Sequence, residues 1–170
     1  MVVFFGMSAV VWAYFLCSAS RDTKLQPAFF MIPYVVSPIF AEMLGFLLQG
    51  PEISIAAVLT AISLMMWANS ATNHSIKRRI PLVIAAIVCA TISFTMYLAM
   101  VTIFITGTAM LYVLRFGSRA QWDEQKKSSW IFLVGSILIF GASYLAYRLL
   151  NAVAMHLAGV TTNAYISDQS

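Results

Sequence analysis

Charged residues are scarce in this chain of 170 residues. Asp, Glu, Lys and Arg together make up 9% of it, whereas a soluble domain carries about a quarter. Hydrophobic residues account for 61% and the mean hydropathy is +0.87, so few side chains gain from contact with water. This composition excludes a soluble enzyme, a nucleic-acid-binding protein and a disordered segment, and it leaves a polytopic membrane protein.

Motifs that would indicate catalysis or metal binding are also missing. The two cysteines, Cys17 and Cys89, lie inside separate apolar runs, so we expect them to pack as small core residues. The chain contains no phosphate-binding loop, no HExxH motif and no pair of carboxylates within one apolar run. The sequence therefore predicts no catalytic residue, no metal site and no enzyme activity.

The apolar runs predict five membrane-spanning helices. A helix needs about 20 apolar residues to cross the hydrocarbon core, and the chain divides into such runs at its charged and proline-containing turns. The first run lacks the preceding basic residues of an export signal, so we interpret it as a span. The predicted spans are residues 2–20, 28–48, 53–71, 82–114 and 130–160.

The fourth apolar run, residues 82–114, has two interpretations. It holds no charge and no proline, and as one helix it would extend roughly 50 Å against a hydrocarbon core of about 30 Å. The alternative is a fold-back into two short spans. The positive-inside rule favours the fold-back, because the basic loops before and after this run would then share one side of the membrane.

The hydroxyl pattern of the same run favours a single helix. On a helical wheel Thr91, Thr95, Thr102 and Thr106 stay within about 60° of arc, and a hairpin would break this stripe near Leu98, where no Gly, Pro or Asn supports a turn. We therefore predict an all-α, polytopic transmembrane bundle of five spans, with six spans as the alternative. The last two helices are then long and protrude from the bilayer.

The chain is predicted to form one domain in a membrane. No internal repeat or linker divides residues 1–160, which form a single transmembrane helical domain, and residues 161–170 form a polar C-terminal tail. The basic loops are typical of the cytoplasmic side. We expect an integral membrane protein of the bacterial inner membrane or of an organellar inner membrane.

Glu42 is the only acid deep inside a predicted span. An ionisable group there costs roughly 2.5–3.5 kcal/mol on insertion scales and is a functional-site hypothesis by default. Pro33 and Pro38 interrupt the helix just before it. One interpretation is that Glu42 binds a proton or cation, with the four threonines of the stripe as further ligands. The other is that Glu42 forms a hydrogen bond between helices, while the threonines bond within their own helix or form a packing seam.

Arg148 and the two histidines are further candidates. Arg148 follows the apolar part of the last span, so we expect its side chain to extend toward lipid head groups. His74 and His156 would ligate a haem only if both faced one cavity. A haem- or quinone-binding anchor is therefore a minor alternative.

The sequence alone favours a structural role. Small residues spaced by four occur on several spans and allow close helix packing, and two helices are predicted to be longer than the bilayer requires. We predict a non-catalytic, accessory subunit of a larger membrane complex, with a small transporter or proton/cation channel built around Glu42 as the alternative. The expected partners are membrane lipids and other membrane subunits, with no nucleic acid and no cofactor beyond lipid.

Overall fold

The computed structural model describes residues 2–19, 50–72, 75–116 and 119–159, and the regular secondary structure in these ranges is entirely helical. The prediction of an all-α fold is confirmed. The predicted second span, residues 28–48, and the predicted tail, residues 161–170, lie outside these ranges. The five helices described are α1 (Val2–Ala19), α2 (Gly50–Thr72), α3 (Ile76–Met96), α4 (Met100–Phe116) and α5 (Arg119–Ala158).

Three of these helices have the length and hydrophobicity that crossing a membrane requires. They are α2, α3 and the segment Lys126–Ala158 of α5. Two further apolar segments, Phe5–Ser18 in α1 and Met100–Phe116, are shorter. The part of the chain that the structure describes therefore contains three clear spans, and the prediction of five is not confirmed.

The single helix predicted over residues 82–114 is wrong. α3 ends at Met96, and Tyr97 adopts an extended backbone with φ −154° and ψ 110°. The turn that follows is closed by hydrogen bonds from the Met100 N–H to the Tyr97 carbonyl, at 3.0 Å, and from the Val101 N–H to the Leu98 carbonyl, at 3.1 Å. A helix break therefore forms here without glycine, proline or asparagine.

Hydroxyl groups join α2 to α3 in antiparallel orientation. The hydroxyls of Thr60 and Ser93 lie 2.7 Å apart, and Ser93 Oγ also donates to the Ala56 carbonyl over 2.7 Å. Further along, Ser63 Oγ donates to the Ala86 carbonyl, also over 2.7 Å. Residue numbers thus fall along α3 as they rise along α2. Each of these buried hydroxyls has a partner, as a low-dielectric interior requires.

The chain reverses direction between α3 and α4. The rings of Phe94 and Phe104 have their centres 5.9 Å apart, although ten residues of continuous helix would separate them by about 15 Å. α4 then runs in the same direction as α2, because residue numbers rise together in the neighbouring pairs Leu64–Gly107 and Ala68–Arg115.

This reversal brings basic residues to one end of the bundle. Ser70 Oγ near the end of α2 donates to the Arg79 carbonyl at the start of α3, at 3.4 Å. At the same end the hydroxyls of Tyr112 and Ser129 lie 2.7 Å apart, so the end of α4 lies beside the start of α5. The positive-inside rule predicts that this end faces the cytoplasm or its equivalent. We call it the basic end, and its described cations are Lys77, Arg78, Arg79, Arg115, Lys126 and Lys127.

α5 is longer than a bilayer requires. Its 40 residues extend about 60 Å, twice the hydrocarbon thickness of about 30 Å. The helix stops at Ala158, and Gly159 takes a φ of +66°, a left-handed conformation that glycine adopts readily at helix ends. The prediction of a long final helix is confirmed, whereas the long helix predicted before it is replaced by α3 and α4.

A stripe of alternating serines and large apolar residues forms the packing face of α5. Ser136 accepts a hydrogen bond of 2.8 Å from Trp67 Nε1, and the Trp67 ring covers Gly135, where an added Cβ would overlap ring carbons. Glycine therefore allows close contact between α2 and α5 at this position. The buried stripe consists of Ser129, Phe132, Ser136, Ile139 and Ser143. The spacing between these residues alternates between three and four positions, as in helices that pack along one seam.

Replacing Gly135 by alanine is expected to destabilise the bundle. Overpacking costs about 1–3 kcal/mol, partly offset by the higher helix propensity of alanine, so the apparent Tm should fall by roughly 2–8 °C. Gly141→Ala is the matched control, because an added Cβ at Gly141 meets nothing within 4 Å. Thermal unfolding of the purified chain in detergent measures both variants. An unchanged Tm for Gly135→Ala would contradict the packing described here.

The reversal between α3 and α4 predicts the sidedness of three positions. Single cysteines at Ser75 and Lys127 should react with a membrane-impermeant maleimide from the same side of sealed vesicles, and a cysteine at Ala99 from the opposite side. The background lacks Cys17 and Cys89. Labelling of Ser75→Cys and Lys127→Cys from opposite sides would instead support one continuous helix.

Candidate functional site

Polar side chains from three helices meet in a cavity at the basic end. The cavity has a volume of about 160 Å³ and lies where α1, α2 and α4 end. A water molecule occupies about 30 Å³ in the liquid, so the space holds about five waters or a group of similar size. We call it the Arg115 cavity. Its lining residues are Tyr14, Phe15, Ser18, Met65, Ala68, Asn69 and Arg115.

The Arg115 side chain is oriented by contacts with α2 and α5. Its Nη1 donates to the Ala68 carbonyl at 3.1 Å, and its Cζ lies 5.8 Å from the centre of the Phe132 ring. The second contact has the geometry of a cation–π interaction. The guanidinium is also close to the C-terminal end of α2, where the helix dipole favours positive charge.

The described residues that line the Arg115 cavity offer hydrogen-bond donors and include no acid. The donors are the guanidinium of Arg115, the amide of Asn69 and the phenol of Tyr14. The Ser18 hydroxyl also lines the cavity, but its proton is already donated to the Phe15 carbonyl at 2.8 Å. No carboxylate or imidazole is among the described residues that line it. These groups suit the binding of an anion such as a phosphate, but they offer no general base.

Replacing Arg115 by methionine is expected to lower the free energy of unfolding by about 1–3 kcal/mol, because the variant loses a hydrogen bond from a charged donor and a cation–π contact. Arg78→Met is the control, since it removes the same charge from an exposed position in α3. Chemical denaturation in detergent gives both values. Equal losses in the two variants would show that the Arg115 contacts contribute nothing specific.

A second, apolar depression lies between α4 and α5. This groove has a volume of about 390 Å³ and is open along one side of the bundle. The Thr108 hydroxyl is buried and has no hydrogen-bond partner among the described residues. We call it the α4–α5 groove. It is lined by Phe104, Ile105, Thr108, Ala109, Tyr112, Val113, Leu133, Ser136, Ile137 and Phe140.

The predicted threonine stripe is divided between two helices. Thr91 and Thr95 lie on α3, whereas Thr102 and Thr106 lie on α4. Thr91 is buried and donates to the Ile87 carbonyl at 2.8 Å; the other three are exposed and donate to carbonyls within three or four residues of themselves. Ion binding by these hydroxyls stays a prediction. The four threonines do not share one helix face, so this reason for the prediction no longer holds.

The remaining sequence candidates are either exposed or undescribed. Arg148 and His156 are exposed on the last turns of α5, and contact between Arg148 and lipid head groups stays a prediction. In the described ranges, no cluster of His, Cys, Asp or Glu could hold a metal ion. Glu42, Pro33, Pro38 and His74 lie outside the described residues.

Sequence reasoning missed the Arg115 cavity. Arg115 directly follows the apolar run 82–114, and the sequence analysis did not select it as a candidate. Its neighbours Ser18 and Asn69 also stand at the ends of apolar runs. The available signal was therefore a polar residue at the end of each of three apolar runs. These three residues meet only if residues 82–114 fold back.

Comparison with known proteins identifies the family. The family model described as "Glucosyl transferase GtrII" matches residues 1–170. The chain belongs to this family. No curated protein and no solved structure matches the chain.

Membership of the GtrII family overturns the prediction that the chain is not an enzyme, because the family is one of glucosyl transferases. It also supports an integral membrane protein linked to glycosylation. The error came from searching each apolar run for a complete catalytic pair. Groups that meet from separate helices or loops leave no such local motif.

Proposed function

We propose that this GtrII-family chain forms part of a membrane-embedded glucosyltransferase, which moves a glucosyl group from a phosphate-activated donor to an acceptor hydroxyl. The observation that carries the proposal is the family match over residues 1–170. The apolar helices agree with a reaction at the membrane. The predicted accessory role in a larger complex has no support from the family.

Glucosyl transfer makes two demands on the protein. The acceptor oxygen forms a bond to C1 of glucose while the bond from C1 to the phosphate oxygen breaks, and the electron pair of that bond leaves with the phosphate. Positioned donors must therefore stabilise the charge that develops on the leaving group. A base must also accept the proton of the acceptor hydroxyl.

The Arg115 cavity meets the first demand. A guanidinium offers several donors in one plane and forms strong, charge-assisted hydrogen bonds to phosphate oxygens. Its contacts with the Ala68 carbonyl and the Phe132 ring hold it in place before a ligand arrives. Asn69 supplies a further donor, and the volume of about 160 Å³ suits a phosphate group. We assign the donor phosphate to this cavity.

A carboxylate is the most suitable group for the second demand, as in other enzymes that act on glycosidic bonds. The chain has six acids, and Glu42 is the one that the sequence places well inside an apolar run. We assign Glu42 as the proton acceptor; this assignment rests on the sequence alone. Glu52, exposed in the first turn of α2, has no such apolar environment.

Glu42→Gln is expected to abolish glucosyl transfer while leaving membrane insertion intact. Loss of a general base costs roughly 10²–10⁴-fold in rate. Glu52→Gln is the matched control and should retain activity within about twofold, since exposed substitutions away from a site have small effects. The assay supplies radiolabelled glucose in two phosphate-activated forms, UDP-glucose and a lipid-phosphate-linked glucose, and follows its transfer into lipid or polysaccharide of membranes that contain the inserted chain.

Two outcomes distinguish an error in the proposed function from an error in the assignment of Glu42. If membranes with the inserted wild-type chain incorporate no more glucose than membranes without it, the proposed function is wrong. If they do, but Glu42→Gln and Glu52→Gln have equal rates, the glucosyltransferase stands and the assignment of the base to Glu42 is wrong.

A further inference from the structure

The α4–α5 groove faces outward at the level of the apolar helices. Its α5 side is formed by Leu133, Ile137 and Phe140, which are spaced by four and three residues and so share one helix face. Phe104 and Ile105 of α4 form its deeper part together with Phe140. In a bilayer this surface meets hydrocarbon chains and not water.

The same face of α5 continues from the groove to the basic end. Lys126 precedes Leu133 by seven residues, which places it on the same face about 10 Å nearer the basic end. Trp130 lies between them in the chain and is 54% exposed, and Trp is enriched where hydrocarbon meets head groups. Toward the basic end, this face therefore presents first apolar side chains, then an aromatic side chain typical of the membrane interface, and then a cation.

Thr108 adds a polar group at one position in the groove. Its hydroxyl is buried and has no partner among the described residues, although a buried donor without an acceptor costs about 1–3 kcal/mol. The residue lines the groove together with Leu133, so it lies deeper in the membrane than Lys126. A ligand that fills the groove would meet this hydroxyl below its head group.

We propose that the α4–α5 groove binds one anionic glycerophospholipid. One acyl chain fills the apolar part of the groove, and an ester carbonyl accepts a hydrogen bond from the Thr108 hydroxyl. The phosphate lies against Lys126. The ester carbonyls of such a lipid lie one glycerol unit below its phosphate, which matches the order of Thr108 and Lys126. The excess of cations at the basic end favours an anionic over a zwitterionic head group.

Native mass spectrometry of the full chain tests this proposal. The chain is reconstituted in nanodiscs of equimolar phosphatidylglycerol and phosphatidylcholine with identical acyl chains, and the lipid retained after release is identified. We expect one phosphatidylglycerol per chain, preferred over phosphatidylcholine by about fivefold or more, which corresponds to roughly one charge at the membrane surface.

Two pairs of variants locate the bound lipid. Ala109→Trp fills the groove and should abolish retention, whereas Ala142→Trp, on the opposite and exposed face of α5, should not. Lys126→Gln should remove the preference for phosphatidylglycerol, whereas Lys77→Gln removes a charge from the start of α3 and should preserve it. Equal retention in the tryptophan pair, or an equal preference for phosphatidylglycerol in the glutamine pair, would overturn the assigned position.

The ester contact has its own test, which does not depend on a bulky substitution. Thr108→Val keeps the shape of the groove and should weaken retention of diester phosphatidylglycerol by about three- to tenfold, the range of one hydrogen bond. A diether analogue lacks the carbonyl, so wild type and Thr108→Val should retain it equally. Retention of no lipid by the wild type, or of a second copy of the chain in its place, would overturn the proposal.

Discussion

A continuous helix over residues 82–114 would exceed the hydrocarbon thickness by about 20 Å, and the arrangement of the bundle depends on how the chain avoids this mismatch. It reverses between Met96 and Met100, so that α3 and α4 both pack against α2 but run in opposite directions. The basic end of the bundle then contains the C-terminal ends of α1, α2 and α4 and the N-terminal ends of α3 and α5. Both the Arg115 cavity and the cation beside the α4–α5 groove are consequences of this reversal.

Several elements of this fold could be predicted from the sequence, and the failures have identifiable causes. The hydrophobic runs predicted α1, α2 and a long final helix. The turn at Tyr97 was missed because it carries none of the residues that usually favour turns. The threonine periodicity pointed to one helix, but the contacts between Phe94 and Phe104 belong to a reversed chain. The distribution of basic loops, which reflects the whole topology, was the more reliable signal.

The candidate site was less predictable than the fold. Tyr14, Asn69 and Arg115 come from three helices and are separated by 55 and 46 positions in the sequence, so no local motif connects them. Serines at seven-residue intervals on α5 do form a pattern, but the contact of Ser136 with Trp67 depends on how α2 crosses α5. Sequence reasoning can therefore identify a packing stripe without identifying its partner. Enzyme activity was missed because the sequence carries no local catalytic motif, and the family match alone indicates it.

The electrostatics of the basic end connect its structural role to its proposed chemistry. Three helix C-termini converge there, each with partial negative charge, and Arg115 lies among them with a hydrogen bond to the Ala68 carbonyl of α2. Part of the positive charge of Arg115 is thus balanced before any ligand binds. A phosphate in the Arg115 cavity would gain less Coulomb energy than it would beside an isolated cation. It would, however, meet a guanidinium that is already oriented, and an oriented donor costs no reorganisation when charge develops on a leaving group. In the proposed reaction, such an oriented donor would stabilise the transition state more than it tightens binding of the ground state.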